Sequence, residues 1–184
     1  MKIQSLFLVF LRTLQKLKYL IMTNMEFYKM SLKNEFQATY DIIAALPNDK
    51  LDYRPHPNSR SAYEIAEHII AHAYDFGVIL TESKCDECLE LSFDGVEDGK
   101  AKLKMYWDKA LSILDGMDEN SFNTTPVDLL VSGNMFATIP RGGMMWFFLN
   151  DIIHHRGQLS VYIRPMGGKN PAVYGYSFDT LQGA

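Results

Sequence analysis

The stretch Trp146-Phe-Phe-Leu-Asn-Asp-Ile-Ile-His-His-Arg-Gly-Gln-Leu-Ser-Val-Tyr162 decides how this chain is read. At helical period, Met144, Phe148, Asp151, His155, Leu159 and Tyr162 fall three or four residues apart and share one side. That side is otherwise apolar and is expected to face a core, yet it carries a carboxylate and an imidazole one turn apart. Burying an unpaired carboxylate is costly, and a bound cation or charge partner removes most of the cost. Asp151 and His155 are therefore expected to hold something.

Working outward, three more helices can be read. Phe27, Met30, Leu32, Phe36, Tyr40, Ile43 and Ala44 recur at helical spacing from Met25 to about Leu46, where Leu46-Pro47 ends the pattern. His56 sits between Pro55 and Pro57 in an irregular link and reads as a surface residue. Ser59 or Ser61 can cap the next helix, with Glu64 at the capping-box distance from Ser61. That helix runs to about Ser83 with Ile65, His68, Ile69, His72 and Phe76 on one face. A third covers roughly Glu97 to Leu114, with Leu103, Tyr106, Trp107, Ala110, Leu111 and Leu114 in step, and stops at Gly116. The fourth begins near Pro140, contains the opening stretch, and stops by Arg164-Pro165 or Gly167-Gly168. The acidic residues 84–95 read as a loop. Residues 117–141 read as a hairpin or as a loop with a helical turn, and a connection this long often shapes a functional opening. The tail from Lys169 to Asp179 reads as an extended segment over the helices. Four helices without a convincing sheet give an all-α four-helix bundle.

The chain has 184 residues and is 47% hydrophobic, enough for one packed domain. A formal net charge of -4 argues against a nucleic-acid surface, which calls for a basic excess. No apolar run has the roughly 18 residues of a membrane span. Residues 1–24 read as a loosely docked extra helix, or as an extension upstream of a start at Met22 or Met25; a signal peptide and a membrane-touching amphipathic helix fit less well. Residues 25–184 then form the bundle. Cys85 and Cys88 flank Asp86-Glu87, but no second pair completes a zinc clamp, so they read as two loop cysteines in a reducing cytoplasm.

The chemistry then needs His68 from the second helix with Asp151 and His155 from the fourth, and His72 stands as a substitute for His68. Three protein ligands with open positions are the pattern of a catalytic metal site. Two imidazoles and one carboxylate suit zinc, nickel, iron or manganese alike. His154 lies one step round the helix as an alternative ligand, an outer hydrogen-bond partner or a surface residue.

The run from His154 through Gln158 and Arg164-Pro-Met-Gly-Gly-Lys169, followed by Pro171 and Tyr174-Gly175, resembles the signature of DinB-like proteins. The segment from Leu51 to His68 is similar to that family's junction between first and second helices, and the resemblance spans roughly Met25 to Asp179. It implies a four-helix bundle, often dimeric, with a divalent metal held by three histidines. One matches His68, and the last matches His155 in a His-x-x-x-His pair whose first position is Asp151 here. Relatives include thiol-dependent transferases and isomerases. The resemblance thus implies a metal-dependent enzyme, a hydrolase or thiol-dependent transferase acting on a small-molecule substrate or thiol. The alternative is a non-catalytic bundle with a degenerate site that binds a small ligand or a protein partner.

Overall fold

A computed structural model of the chain describes residues 22–87 and 91–181. Nearly all of the proposed N-terminal extension, together with Cys88, lies outside these residues. Four long helices carry the fold: α1 (Asn24–Ala44), α2 (Ala62–Thr81), α3 (Gly95–Asp115) and α5 (Arg141–Ile163). Their bounds follow from local chemistry. Thr23 and Ser61 each accept a backbone N–H from the glutamate three residues on, Glu26 and Glu64, whose side chains reach back to the cap backbone. Two complete capping boxes therefore start α1 and α2. Beyond α5, Gly167 takes φ +89°, a conformation glycine adopts at little cost, and the chain turns away.

The helices pack on one another through a continuous core, with α2 against both α3 and α5, and α1 against the same two helices. Trp107 lies at its centre, fully buried, with its indole N–H donating to the Leu32 carbonyl at 3.0 Å and its ring edge-on to Phe76. Satisfying the indole N–H lets this large ring be buried without a stranded donor. On α5, Met144, Phe148, Leu159 and Tyr162 of the sequence stripe are all buried. A side chain such as Phe148 contributes roughly 1.5–3 kcal/mol on leaving water. On α1 the stripe is rotated from expectation. Tyr28, Leu32, Ile42 and Ile43 fill the core, while Phe27 and Met30 are exposed, Phe27 resting on the Trp146 ring.

A three-stranded sheet is the main departure from an all-helical reading. β1 (Lys84–Asp86) pairs in parallel with β2 (Pro126–Val131), which pairs antiparallel with β3 (Asn134–Pro140). The segment read as an acidic loop thus contains a strand that buries Cys85. Residues 117–141 hold both a helical turn, α4 (Glu119–Thr124), and a hairpin. Ser132 and Gly133 both have positive φ, the signature of a two-residue type I′ connection. Val127 and Leu129 turn inward from β2, and Arg141 anchors the join to α5 by donating to the Ile79 carbonyl and the Ser121 hydroxyl. At the start of α5, a Cβ on Gly142 would lie 2.6 Å from the Phe122 ring, so only glycine lets α4 approach this closely. The tail follows the helices as expected and ends in a short helix, α6 (Phe178–Leu181). Tyr174 bonds Glu35 and the buried Arg156, pinning the tail to α1 and α5.

The molecule is mostly helical, six helices beside a small sheet among the described residues. None of these helices is long and apolar enough to cross a membrane.

Candidate metal centre

Two i, i+4 pairs face each other where α2 packs on α5: His68 and His72 from one helix, Asp151 and His155 from the other. All four meet at one atom. Asp151 Oδ2 lies 3.3 Å from His68 Nε2, 3.0 Å from His72 Nε2 and 3.1 Å from His155 Nε2. One ligating atom each from His68, Asp151 and His155 lies within 4.8 Å of the other two, close enough for one ion to touch all three. The residues differ in depth. His72 is buried at 1% exposure, whereas His68, Asp151 and His155 are only partly covered. The His68 ring lies tilted against His72, centroids 4.2 Å apart, and meets His155 edge-on, so the imidazoles form one cluster. His154 is exposed and turned aside, and His56 lies on the surface loop as expected.

The charges follow from these contacts. Burial pushes the Asp151 carboxyl up, but the imidazoles of His155, His68 and His72 outweigh it and hold the group far below the usual carboxylate range. These contacts favour the ionised form of Asp151. Burial lowers the His68 pKa, and the neighbouring His72 and His155 press the same way against the hydrogen bond to Asp151. His72 is also disfavoured as a cation by burial, yet its contacts with Asp151 and Asp75 raise its pKa overall.

Two further residues have roles that sequence reading left unassigned. Gln158 Oε1 lies 2.8 Å from His155 Nδ1, while its amide nitrogen faces His154 Nε2 at 3.1 Å. A carbonyl oxygen only accepts, so Nδ1 carries the hydrogen and a neutral His155 presents a bare lone pair at Nε2. Position i+3 from a histidine on the same helix was the available signal. Asp75 is fully buried three residues after His72 and contacts its other ring nitrogen. Here the signal was an acid on an apolar helix face.

The donor set fits a divalent cation. His155 Nε2 and Asp151 Oδ2, both acceptors, face each other at 3.1 Å, an arrangement stable only with a cation or a proton between them. Two imidazole nitrogens and a carboxylate oxygen are donors that zinc, nickel, iron and manganese all accept. An outer acceptor on the ligand's second nitrogen, the place Gln158 takes, is the usual companion of a metal-binding histidine.

Beside this cluster is a cavity of about 780 Å³, lined by His68, the loop residues Arg54 and Arg60, the acids Glu64, Glu67 and Glu87, and Val131 and Ser132 of the hairpin. The long connection before α5 does wall the opening, as its length suggested. Burial pushes the Glu87 carboxyl above its ordinary value. Arg54 is held by Glu64 and the Ser59 carbonyl, whereas Arg60 stands close enough to His68 to help lower its pKa.

Comparison with known proteins agrees with this fold. A sequence profile described as the DinB family matches residues 20–183. The uncharacterized protein YjoA of Bacillus subtilis strain 168 is 25% identical over 129 residues, spanning 70% of this chain and 82% of that protein. The crystal structure of the same DinB-like protein covers 76% of this chain and 92% of its own, with TM-score 0.61 and 22% identity. A DinB-like protein from Bacillus cereus ATCC 10987 covers 80% and 95%, with TM-score 0.63 and 18% identity. A DinB family member from Exiguobacterium sibiricum 255-15 covers 83% and 97%, with TM-score 0.56 and 21% identity. At these identities the likeness is one of fold.

Proposed function

Because the chain belongs to the DinB family, we propose that it is a metal-dependent enzyme built on that family's four-helix bundle. His68, Asp151 and His155 hold one divalent cation, and the reaction is hydrolysis or thiol-dependent transfer on a small molecule. A cation held there supplies Lewis acidity, which lowers the pKa of a water or thiol toward neutral and so makes a nucleophile available. The chain's own residues do the rest. Gln158 fixes the His155 tautomer so that Nε2 can ligate. Glu67 and Glu87 line the cavity and are placed to take a proton from the nucleophile. Arg60, at the cavity wall, gives the substrate's anionic group a partner. The hairpin tip at Val131 and Ser132 limits water on the side away from the helices.

The observation that carries this reading is the 3.1 Å approach of His155 Nε2 to Asp151 Oδ2, with the ring's Nδ1 2.8 Å from Gln158 Oε1. Metal analysis of untagged protein tests it. About one divalent ion per chain is expected, lost in both His68→Ala and His155→Ala variants that remain folded. Protein without stoichiometric metal, taking none up on addition of zinc, nickel, iron or manganese, would overturn it. A metal-free polar cluster in a ligand-binding bundle would then stand in its place, with a proton balancing Asp151. A homodimer belongs to the same proposal, since Phe27 on α1 and Phe147 on α5 are exposed aromatic surface that a second copy could cover. Sedimentation at micromolar concentration tests that part.

A further inference from the structure

Beneath Asp151 lies a second layer that the metal reading does not use. His72 and Asp75 are each buried at 1% exposure on α2. His72 Nδ1 faces Asp75 Oδ2 at 3.4 Å, and neither atom has a well-aligned hydrogen-bond partner. At the other end of the ring, Nε2 lies 3.0 Å from Asp151 Oδ2. Cys85 lies against the far side of Asp75, and burial with the adjacent carboxylate pushes its thiol pKa well up, so it stays a neutral thiol.

With Asp151 ionised, the ring and Asp75 have four proton arrangements. One, a ring protonated at Nε2 alone beside an ionised Asp75, leaves Nδ1 and Asp75 Oδ2 as facing acceptors at 3.4 Å, and three others remain. In the first, Nδ1 alone is protonated, which sets a bare Nε2 against the bare Asp151 Oδ2 at 3.0 Å. That leaves unsatisfied acceptors facing each other in a dry site, each costing about 1–3 kcal/mol. In the second, Asp75 carries a proton and donates it to Nδ1. In the third, the ring is a cation between two anions. The second and third both put a hydrogen on Nε2, directed at Asp151.

We propose that His72 is a positioning residue: from its buried place its Nε2–H holds one lone pair of Asp151 Oδ2, with the ring's other nitrogen set against Asp75. The carboxylate is thereby presented to a cation through the lone pairs that remain, between His68 and His155. On this account His72 is not a ligand, because its Nε2 lone pair is taken by the hydrogen. Asp75, His72 and Asp151 form a stack in which each group fixes the next. The inference rests on Asp151 being a metal ligand, and it assigns the burial of Asp75 a purpose.

The test uses the full chain stripped of metal, with zinc as the probe. Nitrogen-15 NMR of the imidazoles reads the His72 tautomer, chelator competition reads zinc affinity, and X-ray absorption counts imidazole ligands. Expected are a protonated His72 Nε2 before and after zinc, and two imidazoles on the ion. In His72→Leu zinc binding falls by about 10–100-fold, the range for loss of an outer partner. His72→Gln, whose amide still donates, recovers most of that loss with an unchanged imidazole count, which a purely packing role would not predict. An unprotonated His72 Nε2 in the zinc form, one imidazole fewer in His72→Gln, or a folded His72→Leu with wild-type affinity would each overturn it. If His72→Leu does not fold, the tautomer and the His72→Gln ligand count decide. Wild-type protein that takes up neither zinc nor nickel, iron or manganese removes the metal reading and this inference together. Tight wild-type binding with indifferent variants removes this inference alone.

Discussion

Replacing Asp151 by asparagine keeps the shape of the side chain and removes its charge, which isolates the carboxylate that three imidazoles surround. In the wild type, two imidazole nitrogens and this oxygen lie within 4.8 Å of one another. A metal present at 100 times its Kd stabilises the folded chain by about 2.7 kcal/mol. For 184 residues, each kcal/mol moves Tm by roughly 2–4 °C, so the expected rise is about 5–11 °C. Loss of an outer partner of a metal ligand weakens binding by about 10–100-fold, and loss of the sole anionic ligand should reach at least the upper figure. At the same metal concentration the variant then sits near its Kd, and the stabilisation falls to about 0.4 kcal/mol, roughly 1–2 °C. His72 can still donate to the asparagine oxygen, so the metal-free variant stays folded and serves as its own baseline. The assay is thermal unfolding by circular dichroism on chelator-stripped protein, with and without zinc, nickel or manganese. A wild type that no metal shifts, or an Asp151→Asn variant shifted as far as the wild type, would refute the assignment of this oxygen as a ligand.

Acid should loosen the metal in a defined window. His68 is held below its ordinary pKa of 6.5, chiefly by burial. Its lone pair is therefore free at neutral pH, and proton competition at this ligand sets in only as the pH falls below 6.5. The metal-induced Tm rise should be level from pH 8 to 7 and shrink below 6.5; a loss that begins on raising the pH from neutral would contradict the sign. Away from the site, Gly142→Ala drives a Cβ to 2.6 Å from the Phe122 ring, and overpacking of this kind costs about 1–3 kcal/mol. A lowered urea midpoint with unchanged metal affinity is expected, and a midpoint equal to wild type would mean that α4 yields freely.

What could be read from the sequence, and what could not, divides along a physical line. The long helices were legible because a helix buries residues close in sequence, so Leu103, Trp107 and Leu114 mark their own face. Period alone fixes a face less sharply where aromatics lie on both sides, which is how Phe27 and Met30 were assigned to a core that Tyr28 and Leu32 occupy. The strand Lys84–Asp86 was not legible, since it has one inward residue and its partner Asp128–Leu130 lies more than forty residues on. Nothing local distinguishes three such residues from a loop. The same limit acts at the candidate metal centre. Spacing placed His68 and His72 on one stripe, and Asp151 and His155 on another, which suffices to bring them together once the helices face each other. Depth along a stripe is a tertiary property, set by what packs above it. The sequence reading put His68 ahead of His72 without a measure of depth, and the fold adds one: His72 is sealed between Asp75 and Asp151 while His68 lines the cavity. An aspartate between histidines thus needs more than a cation to explain it. It also needs a donor on its buried side, and His72 is the group in that place.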